Sequence, residues 1–377
     1  MVEEIAFKIS VYAKSDVGVV RSGNEDNFLV LNLSTADTWK PEGPDDNPPV
    51  SLTSFTQSHY GSLIAVTDGM GGALAGEVAS RLAVECVRDR MLELQASPSY
   101  SKFSFPERLR LSIELANLYV YQMSAKRAEY NGMGATFTAV GLSGTDAYFG
   151  QVGDSRAYLI RDRHIQQVTR DQSLVGQLVE AGHLTEEEAE RHSYRNVILQ
   201  ALGASPNLNV VIDRLPIRDM DTFALCSDGL SNKVRPDEMK SIIDKTGSLK
   251  EACESLINLA NERGGEDNIT VLIAQVSGGR LTPAEGRRTT ALLTSDSGQH
   301  FLTTDSGQPS LISDSGQNSL ISDSGQQQRW LERWGAETLP RNPDLPYHID
   351  HGLLDDEEET TLPPEDDTFP PTEKLEE

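Results

Sequence analysis

Four aspartates stand where apolar segments begin or end. Asp68 closes a short apolar run and is followed by Gly69-Met70-Gly71-Gly72. Asp228 closes another, in Cys226-Ser227-Asp228-Gly229. Asp267 and Asn268 precede a third, and Asp26 precedes Asn27 to Leu33. Carboxylates at strand ends can converge at one edge of a sheet sandwich. Brought together, they repel one another unless cations lie between them. Oxygen-only ligands select hard ions, Mn²⁺ or Mg²⁺ over Zn²⁺. A glycine after the aspartate lets a backbone carbonyl come close to such an ion. One Asp-Gly pair is ordinarily just a turn. Several pairs, each abutting an apolar run, point to a metal site.

The elements that must position these residues are legible as periodicity. Residues 5–33 alternate apolar and polar and predict two strands joined by a turn around Ser22-Gly23-Asn24. Residues 34–60, rich in Pro, Asp, Ser and Thr, predict a loop insertion, and 62–67 predicts a strand. Two helices follow, one carrying Ala75, Ala79, Ala83, Val87 and Met91, the other Leu109, Ile113, Ala116, Val120 and Met123. Strands are predicted at 135–142, 147–152 and 157–160, and short helices at 173–181 and 185–192. The chain then predicts strands at 210–215 and 222–227, helices at 236–245 and 249–263, and a last strand at 269–276. The order is not a strict β-α-β alternation, which predicts an α+β fold with mainly antiparallel sheets.

Five segments in this order resemble the metal-dependent protein phosphatase family, type 2C, in its bacterial form. They are Arg21-Ser-Gly-Asn-Glu-Asp26, Val66-Thr-Asp-Gly-Met-Gly-Gly72, Gly134-Ala-Thr-Phe137, Val152-Gly-Asp-Ser-Arg156, and Cys226-Ser-Asp-Gly-Leu230 with Gly265-Glu-Asp-Asn268. The resemblance covers about residues 9–276 and implies a phosphatase domain over 5–277. The implied core is two mainly antiparallel sheets flanked by pairs of helices. It also implies hydrolysis of phosphoserine and phosphothreonine with two Mn²⁺ or Mg²⁺ ions and room for a third. Asp68 would bridge the two ions, the Gly69 carbonyl would bind one, and Asp228 and Asp267 the other. Glu25 and Asp26 would act largely through metal-bound waters, and Arg21 would hold the phosphate. Asp154, with Asp228, resembles the pair that holds the third ion. Such cations turn water into a nucleophile near neutral pH and neutralise the phosphoryl oxygens. No cysteine nucleophile is needed, and Cys226 reads as inert core.

The chain departs from the family pattern in its histidines. Met70 stands where animal members carry one, Ala73 where bacterial members often do, and the common Asp-His-Ser at the start of the flap is Asp171-Gln172-Ser173. The leaving group then takes its proton from water. His183 and His192 are expected on the surface. The flap, 171–201, is charged and helix-prone, and is expected to bear on substrate choice.

Composition narrows the partners. The 377 residues carry a formal net charge of −25, which disfavours nucleic acid and anionic lipid. Three cysteines, Cys86, Cys226 and Cys253, are too few and scattered for a disulfide framework. The opening MVEEIAFKISVYAK lacks the pattern of a signal peptide. A cytoplasmic monomer is expected, acting on phosphorylated proteins such as serine/threonine kinases and their substrates.

After Gly278 the character changes. Four nine-residue units, LLTSDSGQH, FLTTDSGQP, SLISDSGQN and SLISDSGQQ, span 292–327. One apolar pair per unit is too little for a packed core, so 278–377 is expected to be a disordered acidic tail. It holds Trp330 and Trp334, candidate anchors to a partner, and threonine pairs at Thr289-Thr290 and Thr360-Thr361, candidate phosphorylation sites. Two other functional classes fit less well: a non-catalytic kinase-binding scaffold, which need not keep a metal cage, and a phosphatase of a small molecule or an anti-sigma-type regulator.

Overall fold

The computed structural model describes residues 7–41, 47–96, 103–279 and 281, with short backbone stretches at 293–295, 300–303 and 309–310. Two antiparallel sheets lie at its centre. The six-stranded sheet runs His164–Gln167, Arg156–Arg161, Thr222–Cys226, Ile269–Ser277, Lys8–Asp16, Ser54–Thr56 in spatial order. The core of the larger sheet runs Val211–Pro216, Asp146–Val152, Phe137–Ser143, Ser62–Thr67, Asn27–Asn32, Thr38–Trp39.

The central strands are apolar on both faces because each sheet is covered twice. Phe28, Val30, Ile64 and Val66 meet Leu225, Leu272 and Ala274 between the sheets. Their sequence neighbours Leu29, Leu31, Leu63 and Ala65 point the other way, onto Ala79, Ala83, Leu109 and Ile113 of the helices Ala73–Ala96 and Phe105–Lys126. Val271 and Ile273 likewise turn outward, onto Leu256, Ile257 and Met239 of Leu249–Glu262 and Pro236–Lys245. The period of two along each strand therefore sorts one continuous apolar run into two cores. The α+β sandwich expected from the sequence is what the chain forms.

The departures are local. The 34–60 insertion contains Thr38–Trp39, a helical turn at Val50–Thr53, and Ser54–Thr56, which closes a sheet edge. Trp39 is buried there, edge-on to Phe28 and Tyr12. The strand His164–Gln167 was not expected. It forms a hairpin with Arg156–Arg161, turned by Asp162 and Arg163 at φ 51° and 65°. Asp228 does not end a strand but opens a helical turn, Asp228–Ser231.

Within the repeats, short strands lie at Leu293–Ser295, His300–Thr303 and Pro309–Ser310. The first pairs with Val211–Pro216 and extends the larger sheet. An edge strand offers unpaired backbone groups, and each repeat alternates a short β-favouring run with Asp-Ser-Gly turn residues. The two tryptophans, the threonine pairs and the acidic end lie outside the described residues. Among the described residues, no helix is long and apolar enough to cross a membrane.

Candidate metal centre

The pairing of Lys8–Asp16 with Ile269–Ser277 sets Asp16 opposite Ile269. The loop leaving one strand therefore starts beside the segment entering the other. Asn268 ties them together. Its amide nitrogen donates to the carbonyls of Val17 and Gly23, both at 2.9 Å, and its side-chain oxygen accepts from the Glu25 amide at 2.8 Å. Arg21, Glu25 and Asp26 are thus fixed relative to Asp267, whose own carboxylate accepts from the Asn268 amide at 2.9 Å. Arg21 Nη2 donates to Asp267 Oδ2 at 3.0 Å.

Asp26 is buried at the start of the Asn27–Asn32 strand, and Ser227 Oγ donates to its Oδ2 at 2.6 Å. Ser227 in turn accepts from the Thr270 amide at 3.0 Å. One serine therefore joins the Asp26 strand to both strands of the other sheet, and Asp228 follows it directly. Gly229 is required here: a Cβ would lie 2.0 Å from the Asn268 carbonyl.

Asp68 leaves the end of Ser62–Thr67, its amide donating to Thr136 Oγ1 at 2.9 Å while its carbonyl accepts from the Thr136 amide at 2.8 Å. Gly69 pairs with Ala135, and its amide donates to the Glu25 carbonyl at 3.2 Å. A Cβ on Gly69 would sit 2.1 Å from the Gly76 carbonyl, so only glycine lets strand, loop and helix meet there. Asp154 sits in the turn between Asp146–Val152 and Arg156–Arg161. The next residue, Ser155, is buried and hydrogen-bonded to Thr136 at 2.8 Å.

These carboxylates act on one another. Burial, then the charges of Asp26, Asp228, Asp154 and Asp267, hold Asp68 well above the usual carboxylate range. Burial pushes Asp26 up to about 7, eased by its hydrogen bonds and raised again by Asp228 and Asp267. Asp154 also rises to about 7, through burial and then Asp228. Asp228 is raised by burial and then Asp267, and Glu25 chiefly by burial. Five aspartates from five separate segments therefore share one electrostatic neighbourhood.

Among the described residues, no three acidic, histidine or cysteine side chains close into a ready-made coordination sphere. The oxygens are nevertheless poorly satisfied. Asp26 Oδ1 and Asp228 Oδ1 are buried without a hydrogen-bond partner among the described residues. A buried, anionic, oxygen-only set with orphaned oxygens suits a hard divalent cation that keeps several waters.

Several positioning residues carried no clear sequence signal. Ser227, Thr136, Ser155 and Asn268 act through contacts as distant in sequence as Ser227 with Asp26. All four lie inside motifs already singled out, but nothing in those motifs announces these contacts. Cys226 is buried, and burial pushes its thiol up to about 12, which leaves it unreactive. In the flap His183 is exposed and His192 half-buried.

The protein phosphatase 2C family matches residues 51–269, more than half the chain. The serine/threonine phosphatase stp of Listeria welshimeri is 34% identical over 262 residues, covering 70% of this chain and 94% of that protein. The solved serine/threonine phosphatase of S. agalactiae superposes with a TM-score of 0.59 at 30% identity, over 71% of this chain and 98% of that one. The catalytic domain of the serine/threonine protein phosphatase PstP, solved with two manganese ions, gives 0.57 at 29%, over 72% and 100%. With the acidic centre at the edge of its two sheets and these likenesses across the whole folded region, the chain belongs to the protein phosphatase 2C family of serine/threonine phosphatases, in its bacterial form.

Proposed function

We propose that this phosphoprotein phosphatase works with two divalent cations, Mn²⁺ or Mg²⁺, held by Asp68, the Gly69 carbonyl, Asp228 and Asp267. The orphaned buried oxygens of Asp26 and Asp228 carry this reading. Such ions, when bound, draw a nucleophile from water near neutral pH and neutralise the phosphoryl oxygens. The chain's own residues do the rest. Glu25 and Asp26 hold water at the edge of the carboxylate cluster. Arg21, exposed beside Asp267, is free to turn its fork to a phosphoryl group. Asp154 and Asp228 are the pair for a third ion. PstP, with its two manganese ions, supports the cofactor reading.

Its substrates are proposed to be phosphoserine and phosphothreonine in cytoplasmic proteins, serine/threonine kinases among them, with the enzyme acting as a monomer. The folded domain is proposed to span 5–277 and the repeat-bearing remainder to recruit partners. The test is phosphate release by the purified chain with Mn²⁺, comparing a phosphothreonine peptide with nucleotides and sugar phosphates. Preference for the peptide supports the proposal, and equal or greater turnover of the small molecules contradicts it.

A further inference from the structure

The turn that carries Asp154 is held from two sides. On the sheet side, Gln151 Nε2 donates to the carbonyls of Gly153 and Ser155 at 2.8 and 3.1 Å, and Thr138 Oγ1 donates to Ser155 at 2.7 Å. On the other side stands the first stretch of the flap. The Gln172 amide donates to the Gly153 carbonyl at 3.0 Å, and Gln172 Oε1 accepts from the Gly153 amide at 2.9 Å. One residue therefore closes both backbone groups of the glycine next to Asp154.

Gln172 also reaches the far end of the flap. Its carbonyl accepts from the Leu199 amide at 2.8 Å, Ser173 bridges Ile198, and the Leu174 amide donates to Val197 at 2.9 Å. Beside it, Asp171 is gripped by Arg156, two residues beyond Asp154, through Nε at 3.0 Å and Nη2 at 2.6 Å. The start of the flap, its return and the Asp154 turn thus form one hydrogen-bonded unit.

We infer that Gln172 is a positioning residue for Asp154, through which ion binding at the Asp154–Asp228 pair and docking of the flap base become linked equilibria. The inference rests on the third-ion reading above. A side chain that fixes the turn from the flap holds Asp154 ready for an ion, and by reciprocity an ion there favours the docked flap. Losing the Gln172 side-chain bond leaves the Gly153 amide without its acceptor, a change worth about tenfold in affinity.

The test is calorimetric titration of the full chain with Mn²⁺ alone, for the wild type, Gln172→Met, Gln172→His and Asp154→Asn. Hydrogen exchange over 171–201 is followed in parallel. The expected result is three ions on the wild type, the weakest missing in Asp154→Asn. Gln172→Met weakens that ion about tenfold and leaves the tighter two unchanged. Gln172→His, whose ring nitrogen can accept from the Gly153 amide, restores it. Filling the weakest site slows exchange in the flap of the wild type but not of Gln172→Met. Two ions on the wild type overturns the third-ion reading and the inference with it. Three ions with an unchanged Gln172→Met titration overturns the inference alone. Equal weakening of all three sites overturns it too, because a general structural role would do that.

Discussion

Arg21 and Asp267 form a direct ion pair at the rim of the acidic cluster, Nη2 to Oδ2 at 3.0 Å, with both side chains well exposed. The arginine proposed to bind phosphate is thus parked on a carboxylate proposed to hold metal. Releasing it costs little, because an exposed ion pair is worth about 0–1 kcal/mol.

Arg21→Ala should therefore leave the melting temperature unchanged and Mn²⁺ affinity equal or higher. It should raise KM for a phosphothreonine peptide about ten- to a hundredfold, the worth of charged hydrogen bonds to phosphate. Steady-state kinetics at saturating Mn²⁺ checks this, and an unaltered KM removes Arg21 from substrate binding.

Asn268 is the joint between the Arg21 loop and the Ile269–Ser277 strand. Asn268→Ala strands the Glu25 amide and two carbonyls, and should destabilise the fold by about 1–3 kcal/mol in denaturant titration. Activity at limiting Mn²⁺ should fall further than stability alone explains. Asn268→Asp keeps the acceptor for Glu25 and loses both donors, so it should lie between. A fully stable and active Asn268→Ala variant contradicts the role.

The acidic cluster gives a pH dependence of unusual sign. Asp26 and Asp154 have folded pKa values of about 7, above those of unfolded aspartate. Between about pH 4 and 7 the folded state therefore binds more protons than the unfolded one. The stability these groups contribute is present below the unfolded pKa and is lost as pH rises through 7. Metal-free protein should gain stability from them on acidification across this window. Asp26→Asn with Asp154→Asn should flatten that gain. Mn²⁺ affinity should fall over the same range, since protons and cations compete for the carboxylates. Thermal melts from pH 5 to 8, with and without Mn²⁺, read both effects.

Much of this architecture was legible because its signals are local. Asp68, Asp228 and Asp267 each abut an apolar run, and the strands beside them, buried on both faces, read as such runs. The helices were found with small errors at their ends for the same reason. What the sequence hid depends on contacts between distant segments. Nothing near Ser227 announces Asp26, and nothing near Gln172 announces Gly153. Trp39 looked like part of a polar loop because its partners, Tyr12 and Phe28, lie on other strands. The hairpin strand His164–Gln167 is polar and short, with little periodicity to reveal it.

Asp68 and Asp228 are proposed to hold the ions that drive phosphate release. The most direct measurement is Mn²⁺-dependent release from a phosphothreonine peptide by Asp68→Ala and Asp228→Ala, with circular dichroism to check the fold. Removing several kcal/mol of transition-state stabilisation should cut release about a thousandfold or more while the spectrum stays that of the wild type. A folded alanine variant that keeps full activity would contradict the account.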